Sequence, residues 1–542
     1  MEIFMNGNTV YFSDFLTNDH TASFDAAMAY LREHPGTVLH VEPGVYTITR
    51  PLAVEAQKAL MDGGLTDDPM SIIFKPDYKY AVGISFAGQR NTSVIANGVT
   101  LLVDGIMEPV SIRDCENVAV CGFTVDHKRK PYSKAVIGNV GELDGEGSRK
   151  CTFEFDPQCP IGENAPFRLR SWYFDVEKYR TVSTYVLDRK IIDPYHWEVI
   201  LADAAEIHDG MEYYTAHTEH FRPAILIENA KNITLKDITI HSQPGMGIVG
   251  NRSEDITLSH VSVVPSVGHH VSTNTDATHF TSIKGKLRLE NCVFEGQGDD
   301  FINVHAYYHE IIRRLSDDEC CMQEKTPDGT HAQSLDYPDV GDFLELTDMD
   351  TLTLVDTFRV VESTPMRDEW CCRVKLDHAL PENTEGLVLA DVTRLPSLEI
   401  VNCSSRTHYA RGIMLKTRNV LIENNIFHAV EAPAVFAAPE AEWYEGVSPA
   451  NVVIRGNRIV KCGEKGDVQG GIVVLADTKC PNGQCMLNIV IEDNIIDCPN
   501  TEYGIYVRNT NGVKVARNKI NCKRKAVEII CCTNVDSDAE LA

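Results

Sequence analysis

The chain has 542 residues, 43% of them hydrophobic, and a formal net charge of −28. That hydrophobic share supports a sizeable folded core. The acidic excess disfavours nucleic acid, an anionic membrane surface and a strongly anionic polysaccharide as partners, and leaves a neutral sugar as the better fit.

From the N-terminus, Phe24 to Glu33 has helical spacing and is followed by a short β run and Pro43-Gly44-Val45-Tyr46. A helix in that place suits an end cap, which the first coil of a repeating β structure needs to cover its open core. Short β runs ending in Asn or Asp then recur. Examples are Ile233-Thr234-Leu235, Ile256-Thr257-Leu258, Leu287-Arg288-Leu289-Glu290-Asn291, Leu421-Ile422-Glu423-Asn424-Asn425 and Val490-Ile491-Glu492-Asp493-Asn494. The first two are 23 residues apart. Asn tolerates left-handed turns, and its amide can bond the next coil, so a stacked Asn ladder is expected. Period and ladder together predict an all-β chain, a right-handed parallel β-helix.

Two stretches break the period and are too long for structureless loops. The predicted organisation is therefore a cap and first coils over 1–129, an inserted β domain over 130–222 and central coils over 223–306. A second inserted β domain over 307–396 and C-terminal coils over 397–542 complete it. Both insertions are expected to be small, antiparallel and barrel-like.

The sharpest signal is Gly296-Gln297-Gly298-Asp299-Asp300, which follows Asn274-Thr275-Asp276. Asp276 and Asp299 are also 23 residues apart, which would stack them on neighbouring rungs about 4.8 Å apart. Crowded acids rarely all ionise, so their pKa values spread, as acid and base roles require. Glycoside hydrolysis uses two such carboxyl groups, one to protonate the leaving oxygen and one to activate water or attack carbon. Asp276, Asp299 and Asp300 are the catalytic candidates, and Asn274, His279, Gln297, Asn303 and His305 could hold sugar hydroxyls. Trp443 could stack on a sugar ring or serve the core, and Arg411 could bind a hydroxyl or pair with an acid. Gly268-His269-His270 reads either as pocket lining or as a turn. Calcium is the rival reading, because hard cations favour clustered carboxylates, but no metal or other cofactor is expected.

These strings resemble glycoside hydrolase family 110, in the β-helical clan that also holds the polygalacturonases of family 28. Ser272-Thr273-Asn274-Thr275-Asp276-Ala277-Thr278-His279-Phe280 and Glu295 through His305 carry the resemblance. It implies an inverting exo-α-galactosidase that releases terminal α-1,3-linked galactose from oligosaccharides, on a β-helix with inserted barrels. By the same analogy Asp299 is the acid, with Asp276 and Asp300 holding water. Adjacent residues on a strand face opposite ways, so Glu345 and Glu445 stand as alternative acids. Inversion predicts a carboxyl separation of about 6.5–9.5 Å. Arg411-Gly412-Ile413-Met414-Leu415-Lys416 only loosely echoes the uronate-binding Arg-Ile-Lys of polygalacturonases, which favours a neutral galactoside.

Three rivals remain. A polygalacturonase-like hydrolase or a β-helical lyase would act on a uronate polymer, although Lys284, Lys286 and Arg288 are the only basic residues between Asn274 and His305. A non-catalytic carbohydrate-binding β-helix would use the carboxylates only to hold hydroxyls. The 17 cysteines, odd in number and scattered, make no disulfide framework. With no basic or apolar leader at Met1–Gly7, this implies a cytoplasmic chain without a membrane partner. Long β-helices with inserted barrels often associate, so a homo-oligomer stays open.

Overall fold

A computed structural model of the protein describes residues 8–64, 78–162, 171–175, 178–218, 220–324, 336–476, 478–479 and 483–538. It is a parallel β-helix in which each coil gives one strand to each of three faces. One coil runs through Lys231–Lys236, Thr239–Ile240 and Ile248–Asn251; the next runs through Glu254–Ser259, Ser262–Val263 and Thr278–Thr281. Alternation explains the choice of strand: Ile233 and Leu235 point inward and Thr234 outward. Ile233 stacks on Val118 below and Ile256 above. Ile233, Leu235, Ile256, Leu258, Leu287, Leu289, Leu398 and Ile400 form a continuous buried column. Residues two apart on one strand share a face, so this β pattern fills the core rung by rung.

The N-terminal helix, His20–Glu33, lays Phe24, Ala27, Met28 and Leu31 on the first coils. Its N-cap, Asp19, accepts a hydrogen bond from the Ala22 N–H at 3.0 Å. Farther on, the Asn ladder is present. The amide oxygens of Asn457, Asn494 and Asn518 each accept the backbone and side-chain N–H of the Asn one coil earlier, at 2.9–3.0 Å. The residue before each ladder position, such as Asn424, Asp493 or Arg517, takes the left-handed turn.

Both insertions are antiparallel. The first is a seven-stranded sheet ordered Arg180–Ser183, Ser171–Asp175, Glu212–Ala216, Tyr132–Gly138, Arg149–Phe155, His196–Leu201, Val186–Ile191. The second is a six-stranded closed barrel of Ile302–Arg314, Glu319–Glu324, Cys371–Leu376, Thr353–Met366, Phe343–Asp348 and Leu387–Asp391. The first leaves the coil after Glu116–His127 and returns before Ile225–Glu228, at the corner where third-face strands begin. The second continues out of the third-face strand that starts at Ile302. The outer side of this face therefore lies between the two. Among the described residues no helix is long and apolar enough to cross a membrane.

Candidate active site

The site forms where successive coils turn into the third face. Thr278 pairs with Ile302, and Ile302 pairs with Ile413. Two residues back on each coil stand Asp276, Asp300 and Arg411, stacked on three adjacent rungs. This corrects the register expected from the 23-residue interval, which set Asp276 opposite Asp299. Ile233 and Ile256 are 23 residues apart, but Ile256 and its partner Leu287 are 31 apart. Turn lengths differ from coil to coil, so one interval does not carry to the next.

Asp299 and Asp300 lie in the bend between Val293–Glu295 and Ile302 rather than on a strand. Both can therefore reach one point, and one oxygen each from Asp276, Asp299 and Asp300 lies within 4.8 Å of the others. The bend depends on glycine. Gly296 has φ +70°, and a Cβ on Gly298 would fall 2.2 Å from the Asn274 carbonyl oxygen, a clash that only glycine avoids. The nearest oxygens of the three carboxylates are closer than the separation of about 6.5–9.5 Å expected between the carboxyl groups of an inverting pair.

Asp300 is 1% exposed and clamped by Arg411. The guanidinium donates to Oδ1 at 3.0 Å and Oδ2 at 2.8 Å, and the Arg411 backbone N–H donates to Oδ1 at 2.9 Å. Burial pushes the Asp300 carboxyl up to about 7; Arg411 pulls it down, and Asp299 and Asp276 push it up again. Asp276 is held on both oxygens: Oδ1 accepts the Asp300 N–H at 3.2 Å, and Oδ2 meets His279 Nδ1 at 2.6 Å. Asp299 is the part-exposed member of the three.

Several residues expected to touch sugar are committed elsewhere. Asn274 is buried and donates to the Pro131 and Thr218 carbonyls, tying the turn to the first insertion. His279 and His305 bond each other, Nε2 to Nε2 at 2.9 Å, and His305 Nδ1 meets the Ala306 carbonyl at 3.0 Å. Both rings are engaged on both nitrogens by protein groups. Asn303 donates to Glu445 at 3.2 Å and accepts from Lys416 at 3.1 Å. Gln297 is 1% exposed, with both amide atoms buried. Arg411 is spent on Asp300 and, at 3.4 Å, on Glu440. Trp443 is 55% exposed, so it is no core residue; it stands beside Glu440 and Glu445 with its ring open to solvent.

The two alternative acids do not suit that role. Glu345 makes a two-pronged pair with Arg418, both contacts 2.7 Å, which commits both its oxygens to that guanidinium. Burial would raise Glu445, but the charge on the His305–His279 pair and the Lys416 ammonium more than offset it and hold Glu445 well below the usual carboxylate range. A general acid must carry a proton to give. His269 and His270 pack on Tyr132 and Phe174, His270 stacked at 3.7 Å, which makes their turn structural.

Sequence reasoning missed Lys416, Glu440 and His408 as site residues. Lys416 is fully buried and bonds Glu440 at 2.6 Å as well as Glu445 and Asn303. Its only sequence signal was the loose Arg411 to Lys416 echo. His408 faces the Asp299 carbonyl at 3.1 Å and takes the Ser405 hydroxyl at 2.7 Å, pinning the bend; burial lowers it to about 4. The three oxygens of Asp276, Asp299 and Asp300 are of the hard kind that suits Ca²⁺. The Arg411 guanidinium and the His279 imidazole already bond the carboxylates of Asp300 and Asp276.

Over residues 212–320, a span that includes all three carboxylates, the chain matches the family described as glycosyl hydrolases family 28. It is 24% identical over 551 residues to alpha-1,3-galactosidase A of Bacteroides fragilis, covering 95% of this chain and 87% of the relative. The chain resembles the α-1,3-galactosidases along nearly its whole length. The enzyme of that name from Bacteroides thetaiotaomicron is 24% identical, with 88% of this chain and 85% of the relative covered. That from Akkermansia muciniphila is 28% identical over 57% of this chain and 51% of the relative. Among solved structures, a family 28 exopolygalacturonase from Yersinia enterocolitica aligns with a TM-score of 0.44 and 10% identity, covering 98% of this chain and 78% of that one.

Proposed function

We propose that the protein is a glycoside hydrolase, an inverting exo-α-galactosidase that releases terminal α-1,3-linked galactose from oligosaccharides. The observation that carries this reading is the three-carboxylate corner in which Asp276 and Asp300 are locked and Asp299 is part-exposed. Asp299 donates its proton to the glycosidic oxygen as the C1–O bond breaks. A water held by Asp276 and Asp300 attacks C1 from the opposite side and leaves its proton on the pair. The names of the relatives supply the substrate class.

Charge supports a neutral sugar. The two cations of the corner, Arg411 and Lys416, are already spent on Asp300, Glu440 and Glu445, so neither is free to neutralise a uronate. Insertions on two sides of the face, with Glu440 to Gly446 lying across it through the Tyr307–Glu445 pairing, suit a blind pocket and hence exo cleavage. One observation favours a second reading of the stereochemistry. Oxygens within 4.8 Å are nearer the spacing of retaining enzymes, about 5–5.5 Å, in which one carboxylate attacks C1. We favour inversion because Asp276 and Asp300 are fixed by the His279 and Arg411 bonds, which suits them to hold a water rather than to move onto C1.

Assays on Gal-α-1,3-Gal, a chromogenic α-galactoside and oligogalacturonate test the proposal. Galactose release with oligogalacturonate untouched is expected. Cleavage of oligogalacturonate alone, or tight galactoside binding without turnover, would overturn it.

A further inference from the structure

The site holds a linear chain of contacts: Asp276 Oδ2 to His279 Nδ1 at 2.6 Å, His279 Nε2 to His305 Nε2 at 2.9 Å, and His305 Nδ1 to the Ala306 carbonyl at 3.0 Å. The protons in it can be counted. A carbonyl only accepts, so His305 carries its proton on Nδ1, and in a neutral ring Nε2 is then a lone pair. His279 must therefore donate from Nε2. Its other nitrogen faces a carboxylate oxygen whose partner oxygen already accepts the Asp300 N–H. An ionised Asp276 thus calls for a second proton on His279.

We propose that His279 is an imidazolium held in place by a neutral His305, and that this pair keeps Asp276 ionised as a water-activating carboxylate while the remaining proton of the cluster stays with Asp299 and Asp300. Neither histidine touches substrate; both are positioning residues. The inference rests on the hydrolase reading above and assigns the base within it.

The surroundings agree. Burial alone would lower His279, but the hydrogen bond and charge of Asp276, with Glu445 behind them, raise it above the usual imidazole value. Burial takes His305 down to about 3. The other charged or titratable groups on these rings come from every side. Glu445 stands 3.6 Å from His305 Nε2, Lys416 stacks on the next rung, and Tyr307 packs edge-on to His305 at 4.9 Å. Lys416 is itself neutralised by Glu440 and Glu445, which lets an imidazolium survive beside it.

The first test needs no activity and no variant. In nitrogen-15-histidine-labelled wild-type protein, a coupling across the N–H···N hydrogen bond identifies the His279–His305 pair. We expect one ring protonated on both nitrogens well above the ordinary imidazole pKa of about 6.5, and its partner neutral with the proton on Nδ1. Two neutral rings near pH 6 would overturn the proposal. The second test separates it from failure of the hydrolase reading, which would show as an inactive wild type. With wild type active, His279→Gln and His305→Leu should each move the acid limb of the kcat/KM profile up by about one pH unit or more. His305→Gln keeps an acceptor for His279 and should move it less. A fall in rate with the limb unmoved in all three would assign the histidines a merely structural role.

Discussion

Asp276 and Asp300 occupy the same position on adjacent coils, joined by the Asp300 N–H, which donates to Asp276 Oδ1 at 3.2 Å. Each is tied to a different cation source, His279 for one and Arg411 for the other. The stack sets the proton affinity of the corner. Burial, with Asp299 and Asp276 nearby, takes Asp300 to about 7, against about 3.9 for an unfolded Asp. A carboxyl raised on folding contributes stability that is fully present below the unfolded pKa and lost as pH rises through the folded one. The thermal midpoint should therefore decline across about pH 4 to 7. Asp300→Asn should flatten that decline by one proton's share, about 1.4 kcal/mol per pH unit at most. Asp391, raised to about 8, acts in the same sense and should persist in the variant. Parallel midpoint curves for variant and wild type would contradict this placement of the proton.

Removing the proton donor should stop chemistry without disturbing the fold. Asp299→Asn should lower kcat/KM by roughly 10²- to 10⁴-fold, the usual worth of general acid–base catalysis, with an unchanged circular dichroism spectrum. A substrate with a good leaving group, such as a nitrophenyl α-galactoside, should be affected far less, because it needs little protonation. Equal losses on both substrates would take the acid role away from Asp299.

Lys416 is a stability prediction. It is fully buried and pairs with both Glu440 and Glu445, so Lys416→Met takes the lysine cation from Glu445 and leaves Glu440 with only the longer Arg411 contact at 3.4 Å. Breaking a buried pair in this way costs about 3–5 kcal/mol. Adding Glu445→Gln should recover part of that loss, and a double-mutant cycle by denaturant titration measures the coupling. Strict additivity would mean the pair is not coupled.

Trp443 separates binding from folding. With its ring 55% exposed, Trp443→Ala should leave stability within about 0.5 kcal/mol. If the ring stacks on a sugar, KM should rise about tenfold, equivalent to about 1.4 kcal/mol, with kcat little changed. An unaltered KM would place the sugar elsewhere.

The repeat, the Asn ladder and the two antiparallel insertions are legible in the sequence because each is written locally, in alternating apolar residues and in turn residues. The carboxylate corner is legible for the same reason: Gly-Gln-Gly-Asp-Asp is one continuous string. Register was not, since the spacing between paired residues changes from 23 to 31 where the turn after Val263 lengthens. Nor was the use of His279, His305 and Asn303. Whether a polar side chain faces a ligand or a neighbour depends on what lies across from it. Here that is Lys416 on the next coil and Glu440 and Glu445, which come from a connection more than 130 residues from Asn303. No local pattern encodes that meeting.

The central claim is best tested by following the first turnovers of Gal-α-1,3-Gal by proton NMR, where the anomeric signal of the released galactose reports the stereochemistry directly. The account predicts initial β-galactose that mutarotates later, as water held by Asp276 and Asp300 attacks opposite the departing sugar. Initial α-galactose would contradict it and make one of those carboxylates a nucleophile; no galactose at all would remove the substrate assignment itself.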